Sequence, residues 1–202
     1  YNYNSNDFFY HADGFYQFHH MNTDKMFGYL QDSGFQIKNE PLIQIGGGMC
    51  FSEDDYTTAM FHYASFVPIR FSDSLGNSGK FSGYNFMFRY GKDVGPRNWF
   101  QATPYFGMGF GNMKLNITKV TNPSGFFGGT FEEHFTNPAI LLDLGADVRA
   151  NLGFISLGMR GGYLVDTSDK GWKAGNEFVN GAPRMGMTGF YYAFNVSLFL
   201  VE

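Results

Sequence analysis

The chain has 202 residues, of which 20% are aromatic and 16% charged, with a formal net charge of −4 at pH 7. Water-soluble domains usually carry about a quarter charged residues, so this composition favours a protein that exposes apolar surface to something other than water. No run of basic residues indicates a nucleic-acid partner. The single cysteine, Cys50, excludes an internal disulfide framework and a cysteine-based zinc motif.

A bundle of transmembrane helices does not fit the sequence. A spanning helix needs about 20 predominantly apolar residues in succession, whereas the most apolar stretches, such as 105–111, are short and rich in glycine. The mean hydropathy of −0.24 is also too polar for such a bundle. A spanning β-strand needs only about 9–11 residues with every second one apolar, so a β-barrel remains as the membrane architecture to consider.

Alternation of apolar and polar residues, which indicates a strand with two different faces, recurs along the chain. In chain order we predict eight strands, within 8–21, 41–51, 58–71, 82–91, 99–118, 139–150, 155–166 and 190–200. The first has the weakest pattern and is centred on 15–20. In the fifth, the apolar phase shifts between Phe110 and Met113, which predicts a β-bulge near Gly111-Asn112. Pro68 and Pro104 each require a bulge or a position whose donor is unpaired.

The predicted connections alternate between short and long. The short ones are 52–57, 91–98 and 151–153, and the long, polar ones are 22–40, 72–81, 119–138 and 167–188. Outer-membrane barrels have short periplasmic turns and longer extracellular loops, and with eight strands all the short connections fall on the side of the termini. We therefore predict an all-β, transmembrane, antiparallel up-and-down β-barrel of about eight strands, forming a single domain over 1–202. Residues 1–14 either add to the first strand or form a periplasmic tail.

The two faces of the strands differ: one carries large Phe, Tyr, Leu and Ile side chains, and the other carries glycine, serine and charged residues. A narrow eight-stranded lumen accommodates glycines and paired charges, so we assign the apolar face to lipid. The near balance of charge on the other face predicts an ion-paired lumen without an open aqueous pore. The predicted lumen network consists of Arg70, Arg89, Asp143, Asp147, Arg149, Arg160 and Asp166. Aromatic residues towards the two ends, namely Tyr90, Trp99, Phe100, Tyr163 and Tyr191, match interfacial girdles.

Three stretches carry a family resemblance: L-D-L-G-A-D-V-R-A-N-L-G at 142–153, L-G-M-R-G-G-Y at 157–163 and F-Y-Y-A-F-N-V-S-L-F-L at 190–200. On these the chain resembles the small outer-membrane barrels of the OmpA-barrel, OmpX and OmpW type, and its glycine-rich strands resemble those of Bacteroidota barrel proteins. The resemblance implies a bacterial outer-membrane location after removal of a signal peptide. It also implies contact with outer-membrane lipids and lipopolysaccharide, and insertion by the barrel assembly machinery. Many such proteins end in Phe, whereas this chain ends in Leu200-Val201-Glu202.

No catalytic, cofactor-binding or metal-binding residues are predicted. The five histidines lack the spacing of a metal motif. His134 stands beside Glu132 and Glu133, and Ser168 beside Asp169, but no motif joins them into a hydrolytic site. We therefore expect the protein not to be an enzyme.

The long connections contain apolar residues that are candidates for protein interaction, because exposed apolar clusters often mark binding sites. They are Phe126, Phe127, Phe131, Phe135, Trp172 and Phe178. The first functional hypothesis is accordingly a structural or accessory subunit that binds other outer-membrane or surface proteins. The alternatives are a channel for small solutes, with a lateral exit near Gly111-Asn112, and a lipid A-modifying enzyme.

Overall fold

The computed structural model describes residues 9–38, 40–52, 56–95, 99–121, 129–168 and 171–200. These ranges contain one helix, α1 (Asp24–Asp32), and the strands β1 (Phe9–Met21), β2 (Leu42–Ser52), β3 (Thr57–Phe66), β4 (Ile69–Ser72), β5 (Ser78–Lys92), β6 (Phe100–Thr121), β7 (Gly129–Asn151), β8 (Ile155–Asp166), β9 (Lys173–Ala174), β10 (Glu177–Phe178) and β11 (Gly189–Leu200). Within them, no helix combines the length and apolar character needed to cross a membrane.

Eight of the described strands form a closed antiparallel barrel. Neighbouring strands pair in the order β1, β2, β3, β5, β6, β7, β8 and β11. The barrel closes because β11 also pairs with β1. The closing register runs from Tyr10↔Leu200 to Met21↔Gly189. The predicted fold is thereby confirmed. Because β1 begins at Phe9, the residues from 9 to 14 belong to this strand and not to a tail, while residues 1–8 lie outside the described ranges.

The connections separate into two ends of the barrel. The turn end holds the start of β1 and the end of β11. It also holds the short connections β2–β3, β5–β6 and β7–β8. The last of these needs only three residues, with Gly153 at φ +82°. The loop end holds α1, the β4–β5 hairpin, the tips of β6 and β7, and the β9–β10 hairpin. Parts of the predicted long loops are therefore regular structure: 22–40 contains α1, 72–81 contains the start of β5, and 119–138 contains the ends of β6 and β7.

The predicted bulge near Gly111-Asn112 is wrong. The pairing of β6 with β5 and β7 is continuous, and its odd-numbered residues face inwards from Gln101 to Ile117. The apparent phase shift arises because the residue types on both faces change along the strand, while the side chains keep their directions. The outward face changes from Phe110 to Lys114, and the inward face changes from glycine to Met113. The proposed lateral exit at this position loses its structural basis.

Both prolines lie where regular strand pairing is interrupted. Pro68 falls between β3 and β4, so it interrupts the strand predicted over 58–71. Pro104 lies in β6 opposite Ala146 of β7, just beyond Gly91↔Tyr105, the last pair between β5 and β6. Its nitrogen points towards β5 because alternate residues of a strand direct their backbone groups to opposite neighbours. The continuous ladder between β5 and β6 ends at this proline, and among the described residues only the isolated bridge Val94↔Ala102 follows it.

The loop end is closed by an apolar core. Met26, Phe27 and Leu30 lie on one face of α1 and are buried against inward residues of the barrel such as Phe81 and Leu141. Residues of the last loop, Trp172, Met185 and Met187, complete this core. The helix ends in a Schellman arrangement, in which Gly34 has φ +93°, its N–H donates to Gln31 and the N–H of Phe35 donates to Leu30.

The outer wall of the barrel is apolar. Along β7 the exposed outward residues are Ile140, Leu142, Leu144 and Val148, and along β11 they are Phe190, Tyr192, Phe194, Val196 and Leu198. On β6 the outward aromatic residues run from Phe100 to Phe110. At about 3.3 Å per residue and a tilt of about 40°, this run spans roughly 25 Å along the barrel axis, the height of an outer-membrane apolar band.

Candidate functional site

The barrel interior contains a network of buried ion pairs. Nε of Arg89 lies 2.6 Å from the carboxylate of Asp143, between β5 and β7. Asp147 is bound by two arginines, with Nε of Arg149 at 2.6 Å and Nε of Arg160 at 2.9 Å. These side chains are almost entirely buried. The network therefore joins β5, β7 and β8 across the lumen.

Asp13 of β1 lies at the centre of this network. Its Oδ2 is 3.0 Å from Nη2 of Arg149, 3.4 Å from Nη2 of Arg160 and 3.0 Å from Nε2 of His62. Nδ1 of His62 in turn lies 2.9 Å from Nη1 of Arg89. A neutral imidazole that donates through Nε2 and accepts through Nδ1 satisfies both contacts.

The charges of this network are balanced. Among the described residues, the three arginines Arg89, Arg149 and Arg160 are ion-paired with three aspartates, Asp13, Asp143 and Asp147. Balance matters because an uncompensated buried charge costs several kcal/mol. With His62 neutral, this network of three arginines and three aspartates carries no net charge.

Polar contacts continue above and below the ion pairs. The hydroxyl of Tyr105 bonds that of Tyr191, which donates to the Asp143 carboxylate at 2.8 Å. Tyr191 therefore faces the interior and does not belong to an aromatic girdle, contrary to the sequence-based expectation. Nearer the turn end, the Asp93 carboxylate accepts bonds from Thr58 and Thr103, each at 2.8 Å. The interior is thus filled at successive levels along the barrel.

Inward glycines provide the space for these large side chains. A Cβ at Gly107 would lie 2.8 Å from Cγ of Arg89. Cβ atoms at Gly145 and Gly162 would lie 2.6 Å and 2.8 Å from the hydroxyls of Tyr105 and Tyr191, respectively. The glycine content of the strands is therefore a packing requirement of the network.

Five residues of the predicted lumen network, Arg89, Asp143, Asp147, Arg149 and Arg160, lie together in the interior. Asp166 is buried at the loop end, where its carboxylate accepts bonds from the Ser168 hydroxyl and the Met187 N–H, and no described cation pairs with it. Arg70 is exposed, and its assignment to the lumen is wrong. The break at Pro68 reverses the alternation, so that Phe66 and Phe71 both face inwards and Arg70 faces outwards.

Asp13, His62 and Cys50 are members of the network that were not predicted from the sequence. Asp13 lies within residues 1–14, for which the sequence pattern allows either a strand or a periplasmic tail. A signal was present, because polar residues recur on one face of this segment at His11, Asp13, Gln17 and His19. Pairing of β1 with both β2 and β11 turns that face into the barrel.

Asp13, Cys50 and His62 also have donor atoms within 4.8 Å of one another, as a metal site would require. Arg149 argues against this use, because its Nη2 lies 3.0 Å from Asp13 and 3.2 Å from the Cys50 sulfur. Arg160 is equally close to His62, at 3.2 Å. Two guanidinium groups beside the same donors repel a cation. The arrangement fits an ion-pair network.

The chain matches no protein-family model and, in sequence, no curated protein. Among solved structures it resembles Ail, the attachment invasion locus protein of Yersinia pestis, in complex with the heparin analogue sucrose octasulfate. The two share 9% sequence identity at a TM-score of 0.54, over 96% of this chain and 98% of that one. A second crystal structure of Ail gives a TM-score of 0.52 at 9% identity, over 96% and 99%.

The chain has the fold of a small outer-membrane β-barrel. A weaker likeness, at a TM-score of 0.42 and 9% identity, relates it to the N-terminal β-barrel domain of Pseudomonas aeruginosa OprF, over 95% of this chain and 97% of that one. At such identities the likeness concerns the fold alone.

On this outer-membrane barrel fold, the predicted loop residues occupy different environments. Phe131 and Phe178 are exposed, at 57% and 52%. Phe135 is partly buried against the loop-end core, and Trp172, at 2% exposure, is one of its members. Phe126 and Phe127 lie outside the described residues. The two exposed aromatic side chains are therefore the described ones that remain available for contact.

The tip of β7 has one edge to which no described strand pairs. From Gly129 to His134 this strand pairs with β6 on one side. On its other side, the described residues pair with β9 at Phe135 and Thr136, and with β8 from Leu141 onwards. An edge of this kind presents unpaired backbone donors and acceptors to another chain.

Proposed function

We propose that this protein is a non-enzymatic barrel of the bacterial outer membrane that serves as a structural or accessory subunit. It binds another outer-membrane or surface protein at its loop end. The apolar outer wall supports the membrane location, because a band of exposed apolar side chains encircles the barrel. The short turns of such a barrel face the periplasm, so the loop end is extracellular.

The observation that carries the proposal is the edge of β7 between Gly129 and His134, to which no described strand pairs. An extended segment of a partner adds to such an edge through backbone hydrogen bonds, while its side chains supply specificity. Phe131 stands exposed on this strand and offers an apolar contact. Glu132, whose side chain is 62% exposed, favours a basic residue opposite it in the partner strand.

The residues that present the free backbone groups follow from the ladder. The carbonyl of Ile140 accepts a bond from Thr167, on the side away from β6. Since alternate residues of a strand point to opposite neighbours, the even-numbered residues of β7 direct their backbone groups to that side. Glu132 and His134 therefore present the N–H and C=O groups that a partner strand would use.

A proline at Glu132 tests this mode of binding. The Glu132→Pro variant lacks the edge N–H but leaves the bonds between β6 and β7 in place, whereas Glu132→Ala loses only the carboxylate. We expect wild-type protein, isolated from outer membranes in mild detergent, to carry a partner in fixed ratio. Glu132→Pro should lose most of that partner, and Glu132→Ala should retain most of it.

Heat-modifiable gel mobility of both variants checks that the barrel is folded. Full retention of the partner by a folded Glu132→Pro variant would exclude the β7 edge as the binding site. Isolation of the folded wild-type protein alone would exclude an accessory-subunit role. In that case conductance and lipid-modification assays would examine the channel and lipid A-modifying alternatives, which no described contact favours.

A further inference from the structure

A group of basic side chains, which we call the basic patch, lies on the outer wall near the loop end. It consists of Arg70 on β4, Lys80 on β5 and Lys114 on β6. Arg70 stands directly opposite Lys80 in the register, and Lys114 stands opposite Ser82, one outward position along β5 from Lys80. All three face outwards, because the residues beside them, including Phe71, Phe81 and Leu115, are buried in the interior.

The basic patch has no compensating anion among the described residues. No ion pair or hydrogen bond joins Arg70, Lys80 or Lys114 to a described group, and Lys114 makes only a contact with the Tyr84 ring, at 5.9 Å. Of the acids at this end, Asp73 is bonded to Asn77, and Glu132 lies 3.6 Å from Nε2 of His134. Like charges directly opposite in a sheet are destabilising. The arrangement therefore leaves the barrel with a repulsion that a bound anion would relieve.

The position of the basic patch along the barrel axis indicates which kind of anion would bind there. Lys114 lies four residues beyond Phe110, an exposed aromatic residue of the apolar band, which is about 10 Å along the barrel axis. Lys114 lies over the ring of Tyr84, which pairs with Asn112 in the register of β5 and β6. The basic patch therefore adjoins the lipid-facing wall. This is the level at which lipid headgroups meet a membrane protein. A soluble polyanion would not require contact with that wall.

We propose that the basic patch binds the phosphate groups of an anionic lipid in the outer leaflet, whose acyl chains lie along the adjoining aromatic wall. Arg70 and Lys80 together hold one phosphate between β4 and β5, and Lys114 approaches it from β6. Neutralisation of the opposed cations is the source of the binding free energy and stabilises the β4–β5 hairpin. This inference is independent of the β7 edge and of any protein partner.

Charge reversal at Lys80 separates lipid binding from barrel stability. The Lys80→Glu variant places a carboxylate opposite Arg70, so in neutral detergent its unfolding temperature should equal or exceed that of the wild type. Titration with bis-phosphorylated lipid A should raise the unfolding temperature of the wild type. For Lys80→Glu we expect apparent lipid affinity to fall about tenfold or more. Lys92→Glu, the same change at the other end of β5, should behave as the wild type does.

Gel mobility of unheated and heated samples gives the unfolding temperature in each case. Equal lipid-induced shifts in the Lys80→Glu and Lys92→Glu variants would overturn the proposal. An equal shift with inorganic phosphate at the same concentration would show a site for an adventitious ion only. An equal shift with a sulfated polysaccharide, or with lipid A from which the phosphates have been removed, would likewise contradict binding through lipid phosphate.

Discussion

At the scale of single residues, the interior depends most on Asp13. Its fully buried carboxylate is within 3.4 Å of Arg149, Arg160 and His62, which come from three other strands. The attraction of this carboxylate to two guanidinium groups offsets part of the cost of burying these charges, and Asp147 binds the same two arginines. Neighbouring glycines leave the space in which the long side chains reach it. Removal of this carboxylate therefore leaves three arginines against two aspartates, with one buried positive charge uncompensated.

Replacement of Asp13 by Asn should lower the free energy of unfolding by about 3–5 kcal/mol, because it leaves buried positive charge uncompensated. Asp32→Asn is a suitable control, since Asp32 is exposed at the end of α1, and it should change stability by less than about 0.5 kcal/mol. Urea titration of the barrel in lipid vesicles, followed by tryptophan fluorescence, measures both. Equal small effects would show that Asp13 does not organise the arginines.

At the scale of elements, α1 has a different role from the strands. It makes no part of the hydrogen-bonded barrel, and it is held by the apolar side chains that it buries in the loop-end core. Its signals were present in the sequence, because Asp24 suits the first turn and Gly34 suits the position after the end. The surrounding residues are polar, however, and a nine-residue helix is stable only when its apolar face is packed. The sequence pattern alone therefore predicts a loop over this segment.

Phe27→Ala should release α1 without opening the barrel. Phe27 is 1% exposed, and its truncation removes packing worth about 3–5 kcal/mol from the loop-end core. Trypsin should then cleave after Lys25 much faster, while the gel mobility of the unheated barrel stays unchanged. Tyr29→Ala, on the exposed face of the same helix, should leave cleavage slow. If Phe27→Ala abolished the heat-modifiable band, α1 would be an integral part of barrel stability.

At the scale of the whole molecule, the lumen is occupied from one end to the other. Polar groups around Asp93, the ion-pair network, the Tyr105–Tyr191 pair and the apolar loop-end core follow one another along the axis. An eight-stranded barrel has an interior that side chains alone can fill. The glycine-lined wall and the balanced charges are consistent with a closed plug. This geometry gives no support to a solute channel.

We therefore expect the wild-type protein to show no reproducible conductance steps in planar bilayers at neutral pH. The Phe27→Ala variant should be equally silent, because the ion-pair network lies beneath the core that this substitution loosens. Stable openings in the wild type would contradict a closed lumen. Openings confined to Phe27→Ala would show that the loop-end core, and not the network, closes the barrel.

The sequence by itself determined the barrel, the number of its strands and the end at which its short turns lie. These properties follow from local alternation and from the lengths of the connections, and the lipid outside imposes the alternation on every spanning strand. Five members of the lumen network, including Arg89 and Asp147, were predicted for the same reason.

The other features of the interior and the outer wall were decided only by the tertiary structure, because they depend on pairing between distant strands. Closure of β1 on β11 brought Asp13 into the network, and the break at Pro68 turned Arg70 outwards to face Lys80. The continuous register of β6 showed that its change of pattern marks the top of the apolar band and not a bulge. A phase counted along one strand cannot distinguish a backbone irregularity from a change of surroundings, since both shift the apolar residues to the other face.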